Sequence, residues 1–386
     1  MGSLFLAHLS LLGSGFQSRI GALGKHKFIK KRVMRRTGVR PEYAGAAWAC
    51  PRWRRIDTNS TKSTTLTEVR EENMMRQRAR ILALFLLVTI GAASQYAQAA
   101  NVSVNCDKHD SIRKALHLVA ISNSKGPSTI TVSGACEENV VIQGMDRLTL
   151  ITKNGASITD SSNGSLAVVD IQDSRSVRLQ GFTINGGNGG VLCNTASVCY
   201  LTGNTIQDGG GNGVGVFADS DAVLESNVIQ NNGSRGSTVN DRSRMVSSND
   251  VFQGNGAQGV AVISGSYFGA SNSSFLNNFV GVEGFLNSTL RVGGSTISGS
   301  GGDGAILLAG AAASFGGTTI TGNGGNGVHL EDGSVAVFFG TNVTGNLSGT
   351  DVDCAPQFPI TRFVETTGGI TNCVESASNS RLKPVK

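Results

Sequence analysis

Apolar residues return along the chain at a nearly fixed interval between residues 184 and 343. The gaps between successive members are 22 or 23 residues. The members are Ile184, Ile206, Ile229, Phe252, Phe275, Ile297, Ile320 and Val343. A period of this size is typical of a solenoid, in which each repeat buries its apolar face against its neighbours.

Each repeat contains three short alternations of buried and outward positions. In the repeat that begins with Ile206, Val214 and Val216 form the second alternation, and Ala222 and Leu224 form the third. Two apolar residues separated by one outward residue predict a short strand with one buried face. Three such strands per repeat predict an all-β, three-sided tube of parallel sheets with roughly nine to ten coils.

Glycine and asparagine mark the corners of the predicted coils. A glycine precedes the second strand of each repeat, and only glycine adopts positive φ without steric cost. These glycines are Gly213, Gly236, Gly259, Gly281, Gly304 and Gly327. Asparagines follow the first apolar position by two or three residues, where their amides are expected to stack into a ladder. They are Asn231, Asn255, Asn277, Asn323 and Asn346.

This repeat resembles the right-handed, single-stranded parallel β-helix of the pectin-lyase-like superfamily. The resemblance covers residues 128–350, and the segments VNC, SIRKAL and STITVSGACEENVVI look like the entry region of bacterial exported members. A leucine-rich repeat needs more leucines at fixed steps, and a calcium-binding β-roll needs a nonapeptide Asp pattern that this stretch does not sustain. The resemblance implies the fold and leaves the activity open, since one fold hosts many functions.

The first 99 residues differ from the repeats. Residues 1–73 carry a basic run without an apolar period, and residues 74–99 combine arginines, the apolar run Ile81 to Ile90 and the tripeptide Ala97-Gln98-Ala99. This order predicts a secretory signal peptide cleaved near Ala99, with an apolar run too short to span a bilayer. We expect translation to start at Met74 or Met75; the alternative is a basic cytoplasmic extension before a signal anchor.

The leader also dominates the charge of the chain. The whole sequence has 33 Lys+Arg and 27 Asp+Glu, a net charge of +6. Residues 1–80 hold 17 and 5 of these, which leaves 16 and 22, a net charge of −6, for residues 81–386. The linear sequence of the repeats shows no basic stripe, so we expect no nucleic-acid partner. The mature chain is expected in the periplasm, at the cell surface or outside the cell.

Six cysteines follow the predicted signal peptide, an even number that is typical of disulfides in an exported chain. Sequence alone allows 15 connectivities, and buried free thiols are the alternative. We expect pairing between near neighbours. The expected pairs are Cys106–Cys136, Cys193–Cys199 and Cys354–Cys373.

The repeats are expected to be closed at both ends. Residues 100–127 form the predicted N-terminal cap, in which Asp107 to Ala120 has helical spacing and Asp110 or Ser111 can cap the helix start. Residues 128–350 are the predicted β-helix, and residues 351–375 are the predicted C-terminal cap. Residues 376–386 are polar and are predicted to be a disordered tail.

The resemblance implies where to search for chemistry. Polysaccharide-active members of the superfamily use an outer groove along one sheet, so the outward positions of the glycine-led strand are the candidate site. His329 and Glu331 lie there at i and i+2, and Glu283 lies two coils away. These three residues are the candidate catalytic acid–base groups.

A second candidate cluster occupies the turn after one of these strands. It contains Asn240, Arg242 and Arg244, and the two arginines are candidates for binding a substrate carboxylate. An exposed, solvated turn is the alternative. No metal site and no cofactor are predicted, although turn carboxylates such as Asp208 and Asp303 are able to bind calcium.

Catalytic motifs of the superfamily are absent from the sequence. It has no Asn-Thr-Asp, Asp-Asp and Gly-His-Gly set, no Arg-x-x-Pro-x-x-Arg and no Asp-Pro-His-Asp. After the predicted cleavage, Tyr200 and Tyr267 are its only tyrosines and no tryptophan remains, so platforms for stacking sugars are few. The sequence favours a non-catalytic exported scaffold or glycan-binding rod. The alternative is a lyase or hydrolase that acts on an acidic polysaccharide in the groove.

Overall fold

The computed structural model describes residues 99–123, 126–355, 360–364, 368–373 and 383–384. The predicted basic leader lies outside the described residues. The predicted signal peptide also lies outside them, except for its last residue, Ala99. Of the predicted tail, only Lys383–Pro384 are described, and they form a short strand.

The described strands form three parallel sheets, and the chain visits the sheets in turn. Sheet I contains β1 (Ala100–Asn105), β2 (Ser128–Ser133), β5 (Leu148–Thr152), β8 (Val177–Gln180), β11 (Val198–Thr202), β14 (Asp221–Glu225), β17 (Arg244–Ser248), β20 (Tyr267–Ser271), β23 (Thr289–Gly293), β26 (Ala312–Gly316), β29 (Val335–Phe339) and β32 (Ile360–Val364). Sheet II contains β4 (Val140–Gln143), β7 (Ala167–Gln172), β10 (Gly189–Asn194), β13 (Asn212–Val216), β16 (Ser237–Val239), β19 (Gln258–Val262), β22 (Val280–Gly284), β25 (Ala305–Leu307), β28 (Val328–Leu330), β31 (Val352–Cys354), β33 (Ile370–Thr371) and β34 (Lys383–Pro384). Sheet III contains β3 (Ala135–Glu137), β6 (Ser157–Thr159), β9 (Thr183–Asn185), β12 (Thr205–Gln207), β15 (Val228–Gln230), β18 (Val251–Gln253), β21 (Ser274–Leu276), β24 (Thr296–Ser298), β27 (Thr319–Thr321) and β30 (Asn342–Thr344). The predicted parallel β-helix of about ten coils is confirmed.

The repeating apolar position forms one column inside the helix. The register of sheet III places Ile184 beside Ile206, and the same pairing continues coil by coil to Val343. All eight members are fully buried. The rings of Phe252 and Phe275 stack in this column with their centroids 5.2 Å apart. The period of the sequence is therefore the pitch of the β-helix, because each lap returns the chain to the same place in the core.

The corner glycines are needed for a different reason from the one predicted. None of the six predicted corner glycines has positive φ, so the expectation of a left-handed corner was wrong. Instead, a Cβ on Gly259 would lie 2.6 Å from the carbonyl oxygen of Gly281 and 2.8 Å from the side-chain Nδ2 of Asn278. The glycines of successive coils stack so closely that no side chain fits between them.

An amide ladder runs beside these glycines, as predicted, although two of its members differ. Asn232 donates from Nδ2 to Asn255 Oδ1 at 3.0 Å, and Asn255 donates to Asn278 Oδ1 at 2.9 Å. The ladder resumes at Asn323 and Asn346, where the same bond measures 2.8 Å. Asn231 and Asn277, which were predicted to be members, precede the true members and have positive φ. Two adjacent asparagines stand at each of those corners, and only the backbone conformation distinguishes them.

A second buried ladder lies at the corner between sheets I and III. Asn204 donates to Asn227 Oδ1 at 2.9 Å, and Asn227 donates to Asp250 Oδ1 at 2.8 Å. Burial raises the pKa of Asp250 even though Ser247 and Asn227 donate hydrogen bonds to its carboxylate. These ladders satisfy buried corner groups that the sheets leave unpaired.

The N-terminal cap contains the predicted helix, α1, which spans Ile112–Asn123 and packs its apolar side on the first coil. A short 3₁₀ helix, Cys106–Lys108, precedes it. The side chains of the predicted caps make other bonds: the Ser111 hydroxyl donates to Glu138 Oε2 at 2.9 Å, and Asp110 Oδ2 accepts from the backbone N–H of Asn105 at 3.0 Å. Glu138, from the loop between β3 and β4, accepts from the backbone N–H of Ile112 at 2.7 Å. A residue of the first coil therefore caps the helix, which the local sequence could not reveal.

All three expected cysteine pairs form disulfides. Cys106–Cys136 joins the start of the described chain to β3, and Cys193–Cys199 bridges sheets II and I within one coil. Cys354–Cys373 links β31 to the residues after β33. Disulfides are typical of chains that fold in an oxidising compartment.

Candidate functional site

The outward face of sheet II carries Glu283 and His329, two of the three predicted catalytic residues, on one column of aligned positions. This column contains Gly215, Thr238, Ala261, Glu283, Ile306, His329 and Asp353. Its middle is closed to solvent, because Thr238 is only 3% exposed and Ala261 is fully buried. Charged groups are concentrated toward the C-terminal coils.

His329 lies at the centre of a charged group at that end. Its Nδ1 is 2.6 Å from Asp353 Oδ2, and its Nε2 is 2.9 Å from Glu331 Oε1. The side chain of His329 is 18% exposed. Burial opposes the charged imidazolium, but the hydrogen bonds to Glu331 and Asp353 outweigh it and raise the pKa of His329 above its ordinary value.

Asp303 completes what we call the His329 cluster: Asp303, His329, Glu331 and Asp353. Burial raises the pKa of Asp303, while a 2.5 Å hydrogen bond from the backbone N–H of Asn326 and the charge of His329 oppose the rise. The four residues come from three successive coils, because Asp303 precedes β25, His329 lies on β28 and Asp353 lies on β31. The cluster therefore contains three carboxyl groups and one imidazole.

Glu283 stands apart from this cluster. The register places Ile306 between Glu283 and His329, a separation of two coils or about 10 Å. Gln258 donates a short hydrogen bond to Glu283 Oε2, and Arg235 Nε donates to Gln258 Oε1 at 2.8 Å. Of the three predicted catalytic residues, the structure brings together His329 and Glu331 and holds Glu283 in a separate polar chain.

The predicted substrate-binding residues span the corner between sheets II and I. Arg242 pairs with Asp219 at 2.8 Å in an exposed turn. Arg244 begins β17 on sheet I, where its guanidinium carbon lies 5.5 Å from the centroid of the Tyr267 ring. Asn240 Oδ1 is buried and has no hydrogen-bond partner among the described residues. Joint binding of a substrate carboxylate by these residues stays a prediction.

A metal ion has one geometric candidate among the described residues. Cys106, Cys136 and Glu138 place their ligand atoms within 4.8 Å of one another. The two sulfurs form a disulfide and Glu138 caps α1, so neither thiolates nor a free carboxylate are available there. The possible use of calcium elsewhere stays a prediction.

Two members of the His329 cluster were missed as acid–base candidates. Asp353 lies past Val343, where the apolar period in the sequence ends. Its signal was the alternation Val352-Asp353-Cys354, which has the apolar–polar–apolar pattern of a further strand. Asp303 was assigned only a turn or calcium role, because its approach to His329 depends on the stacking of successive coils.

Comparison with known proteins supports the β-helix fold. The family model for the right handed beta helix region matches residues 119–283 and 251–354. Of solved structures, the A-module of the Azotobacter vinelandii mannuronan C-5 epimerase AlgE4 is similar with a TM-score of 0.54 and 14% identity, over 70% of this chain and 84% of that one. The AlgE6 A-module from the same organism has a TM-score of 0.54 and 13% identity, over 72% and 88% of the two chains. Pectate lyase Pel9A has a TM-score of 0.46 and 12% identity, over 70% and 78%.

These identities are low enough that the structural likeness concerns the fold alone. No curated protein sequence matches the chain. In the part of the chain that the structure describes, no helix combines the length and the apolar composition needed to cross a membrane. The family match extends over more than half of the sequence and coincides with the stacked coils. This chain therefore belongs to the right handed beta helix family.

Proposed function

We propose that this protein is a non-catalytic, exported β-helix that binds glycans. The observation that carries the proposal is the environment of His329, whose two ring nitrogens are both held by carboxylates. A general base needs a free ring nitrogen, and a general acid needs a proton directed at the substrate. His329 offers neither without first breaking a charge-assisted hydrogen bond.

The rest of the sheet II face supports the same proposal. Thr238 and Ala261 occupy the centre of its outward column and are closed to solvent, so neither side chain is available to a substrate. The motifs of known lyases, polygalacturonases and epimerases are also absent. A scaffold or a binding protein requires neither an accessible catalytic site on this face nor the catalytic motifs.

Export and glycan binding have separate support. Three disulfides suit an oxidising compartment, which is where the signal peptide predicted over residues 74–99 would send the chain. The epimerase A-modules that share the fold are named for a polysaccharide substrate. At such low identity, this likeness suggests a glycan as the partner class and says nothing about which glycan.

A polysaccharide lyase or hydrolase is the second candidate. It is favoured by one observation: Asp303, Glu331 and Asp353 surround a partly exposed imidazole on the outward face of sheet II. Two carboxyl groups on either side of a bond are the arrangement that glycoside hydrolysis requires. In that case Glu331 and Asp353 would perform the acid–base chemistry, and His329 would hold them in place.

The experiment compares binding with turnover on the same glycans. The purified full chain is applied to a glycan array and incubated with polygalacturonate, alginate and neutral polysaccharides. Binding without unsaturated uronides or new reducing ends is the expected result. Turnover that is lost in both Glu331→Gln and Asp353→Asn, but retained in the exposed control Asp332→Asn, would establish the enzyme instead. Turnover that survives these variants and Glu283→Gln would mean that the enzyme works at another site.

A further inference from the structure

A continuous column of aromatic, aliphatic and cationic residues crosses the outward face of sheet I. The register aligns Arg178, Tyr200, Val223, Val246, Gly269 and Arg291 on six successive strands. We call this column the sheet I strip. Five steps between neighbouring strands give a length of about 24 Å. The sheet I strip and the His329 cluster lie on different sheets.

Two tyrosine rings in this region each accompany an arginine. The guanidinium carbon of Arg178 lies 4.1 Å from the centroid of Tyr200, and Arg244 stacks more loosely on Tyr267. The Tyr267 ring extends over Gly269, because a Cβ at Gly269 would lie 3.3 Å from a ring carbon and 2.9 Å from the hydroxyl oxygen. Tyr267, from the neighbouring column, thus fills the gap that Gly269 leaves in the strip.

The arginines of this face keep their hydrogen-bond donors available. Toward the residues that the structure describes, the side chains of Arg178, Arg244 and Arg291 form no ion pair and donate no hydrogen bond. All three are exposed. Stacking on a ring restrains a guanidinium without using any of its N–H groups. An arginine held in this way is ready to bind a planar carboxylate through two parallel hydrogen bonds.

Two carboxylates share the face and define its edges. Asp221 and Glu225 lie at the two ends of β14, on either side of Val223. Asp221 is register-paired with Arg244, yet the two do not form a salt bridge. The centre of the strip is aliphatic and aromatic, and its two ends are arginines. This order suits a linear ligand with apolar faces and spaced negative charges.

We infer that the sheet I strip binds a linear, uronate-bearing polysaccharide. The inference rests on the proposed glycan-binding function and specifies both its surface and its ligand class. Carboxylates of the ligand would pair with Arg178 and Arg291, and the C–H faces of sugar rings would pack on Tyr200, Val223 and Tyr267. The His329 cluster, where carboxylates predominate, would repel the same ligand.

A single-stranded nucleic acid is the other polyanion that aromatic rings and arginines can bind. Two observations favour the uronate. The disulfides suit a compartment outside the cytoplasm, and the middle of the strip is formed by Val223 and Val246, which offer bases no stacking surface. A carboxylate also matches the guanidinium fork in a planar, bidentate manner.

The test uses one polysaccharide in a charged and an uncharged form, so that the contribution of the ligand carboxylates can be separated from that of the sugar rings. Binding of the full chain to polygalacturonate is compared with binding to the same polymer after complete methyl esterification, which removes the charge. The double variant Arg178→Gln/Arg291→Gln is expected to weaken binding to polygalacturonate by about tenfold or more and to leave the ester unchanged. Tyr200→Leu is expected to weaken binding to both forms. The matched control is Lys108→Gln/Lys114→Gln, which removes two exposed positive charges in the N-terminal cap.

Each outcome separates the inference from the function on which it rests. Equal loss in the arginine variant and the lysine control would mean that net charge alone attracts the polymer, and the strip assignment would fail. Binding to neutral glycans alone, unchanged in the arginine variant, would overturn the inference and leave glycan binding intact. Tighter binding to single-stranded DNA than to polygalacturonate would assign the strip to nucleic acid. Absence of binding to every glycan would remove the proposed function and this inference together. Circular dichroism of each variant confirms that the coils remain folded.

Discussion

Sheets I and II share one core and present opposite chemistry to solvent. On sheet II, the outward positions lead to the His329 cluster, in which three carboxylates surround one imidazole. On sheet I, the outward column has arginines at both ends and aliphatic and aromatic residues between them. The inward positions of both sheets are similar, since Val, Leu, Ile, Ala and Phe fill them almost throughout.

The comparison shows that the repeat constrains only part of each coil. Inward residues must fill the core and corner residues must join the ladders, so their types recur in nearly every coil. Outward residues face solvent and can differ between sheets without cost to the fold. The outward columns are therefore the positions that determine function in such a chain. Residues on the two faces can be substituted independently of each other.

We expect the largest effect from a substitution in the buried core that sheets I and II share. Phe275 stacks on Phe252 at 5.2 Å and meets Phe268 edge-on at 6.2 Å, and it is fully buried. Phe275→Ala should lower the free energy of unfolding by about 3–5 kcal/mol, because it leaves a cavity in the core. Chemical denaturation measures the loss, and Phe279→Ala, at a site 60% exposed, should change stability by less than about 0.5 kcal/mol. Similar losses in both variants would contradict the role of the column.

A smaller effect distinguishes two glycines on the two sheets. Gly259, on sheet II, would place a Cβ 2.6 Å from the carbonyl oxygen of Gly281, whereas a Cβ on Gly316, on sheet I, meets open space. Gly259→Ala should cost about 1–3 kcal/mol of stability through overpacking. Gly316→Ala should change the free energy of unfolding, measured by chemical denaturation, by less than about 0.5 kcal/mol. Equal tolerance of both substitutions would show that the coils can separate locally.

The free energy of unfolding should depend on pH through the His329 cluster of sheet II. The folded-state pKa of His329 is raised above its ordinary value of 6.5. Its stabilising contribution is therefore fully present below pH 6.5 and is lost as the pH rises through the folded value. The charged groups facing it are Glu331, Asp353 and Asp303, and the raised pKa of Asp303 also makes stability fall with rising pH.

Substitution isolates the contribution of His329. His329→Gln should flatten the decline of unfolding free energy as the pH rises above 6.5, measured with urea. Binding of polygalacturonate to sheet I should keep its pH profile in this variant. If wild type and His329→Gln had parallel stability profiles over this range, the cluster would not hold a protonated imidazole.

The smallest expected effect lies at the corner between the two faces. Arg242 pairs with Asp219 in a turn where both side chains are more than half exposed. Solvent screens such a pair, so Arg242→Ala should produce no measurable change in stability. Binding of polygalacturonate should also persist, because the strip lies outside this turn. Loss of binding in this variant alone would support the predicted role of Asn240, Arg242 and Arg244 as the carboxylate site.

Much of the fold followed from the sequence because the repeat is local and periodic. The column from Ile184 to Val343, the capping helix and the three cysteine pairs were all predicted, and the structure has each of them. The glycine positions were right and their reason was wrong. Their stacking against the next coil is a contact between residues more than twenty positions apart, which no local rule describes.

The candidate site was less accessible to prediction. His329 and Glu331 lie two residues apart on one strand, so their proximity was visible in the sequence. Asp303 and Asp353 join them from neighbouring coils, where the spacing varies with the length of each turn. The arginines of the sheet I strip are similarly scattered along the chain, which is why the linear sequence shows no basic stripe.

The amino-acid sequence by itself determined the winding of this protein: the period, the inward residues and the order of three strands in each coil. The tertiary structure alone decided which outward residues become neighbours, and with them the His329 cluster and the sheet I strip. The physical reason is that burial of apolar residues repeats in every coil and leaves a periodic signal. Contacts between outward side chains depend on the register between coils, and the sequence of one coil does not contain that register.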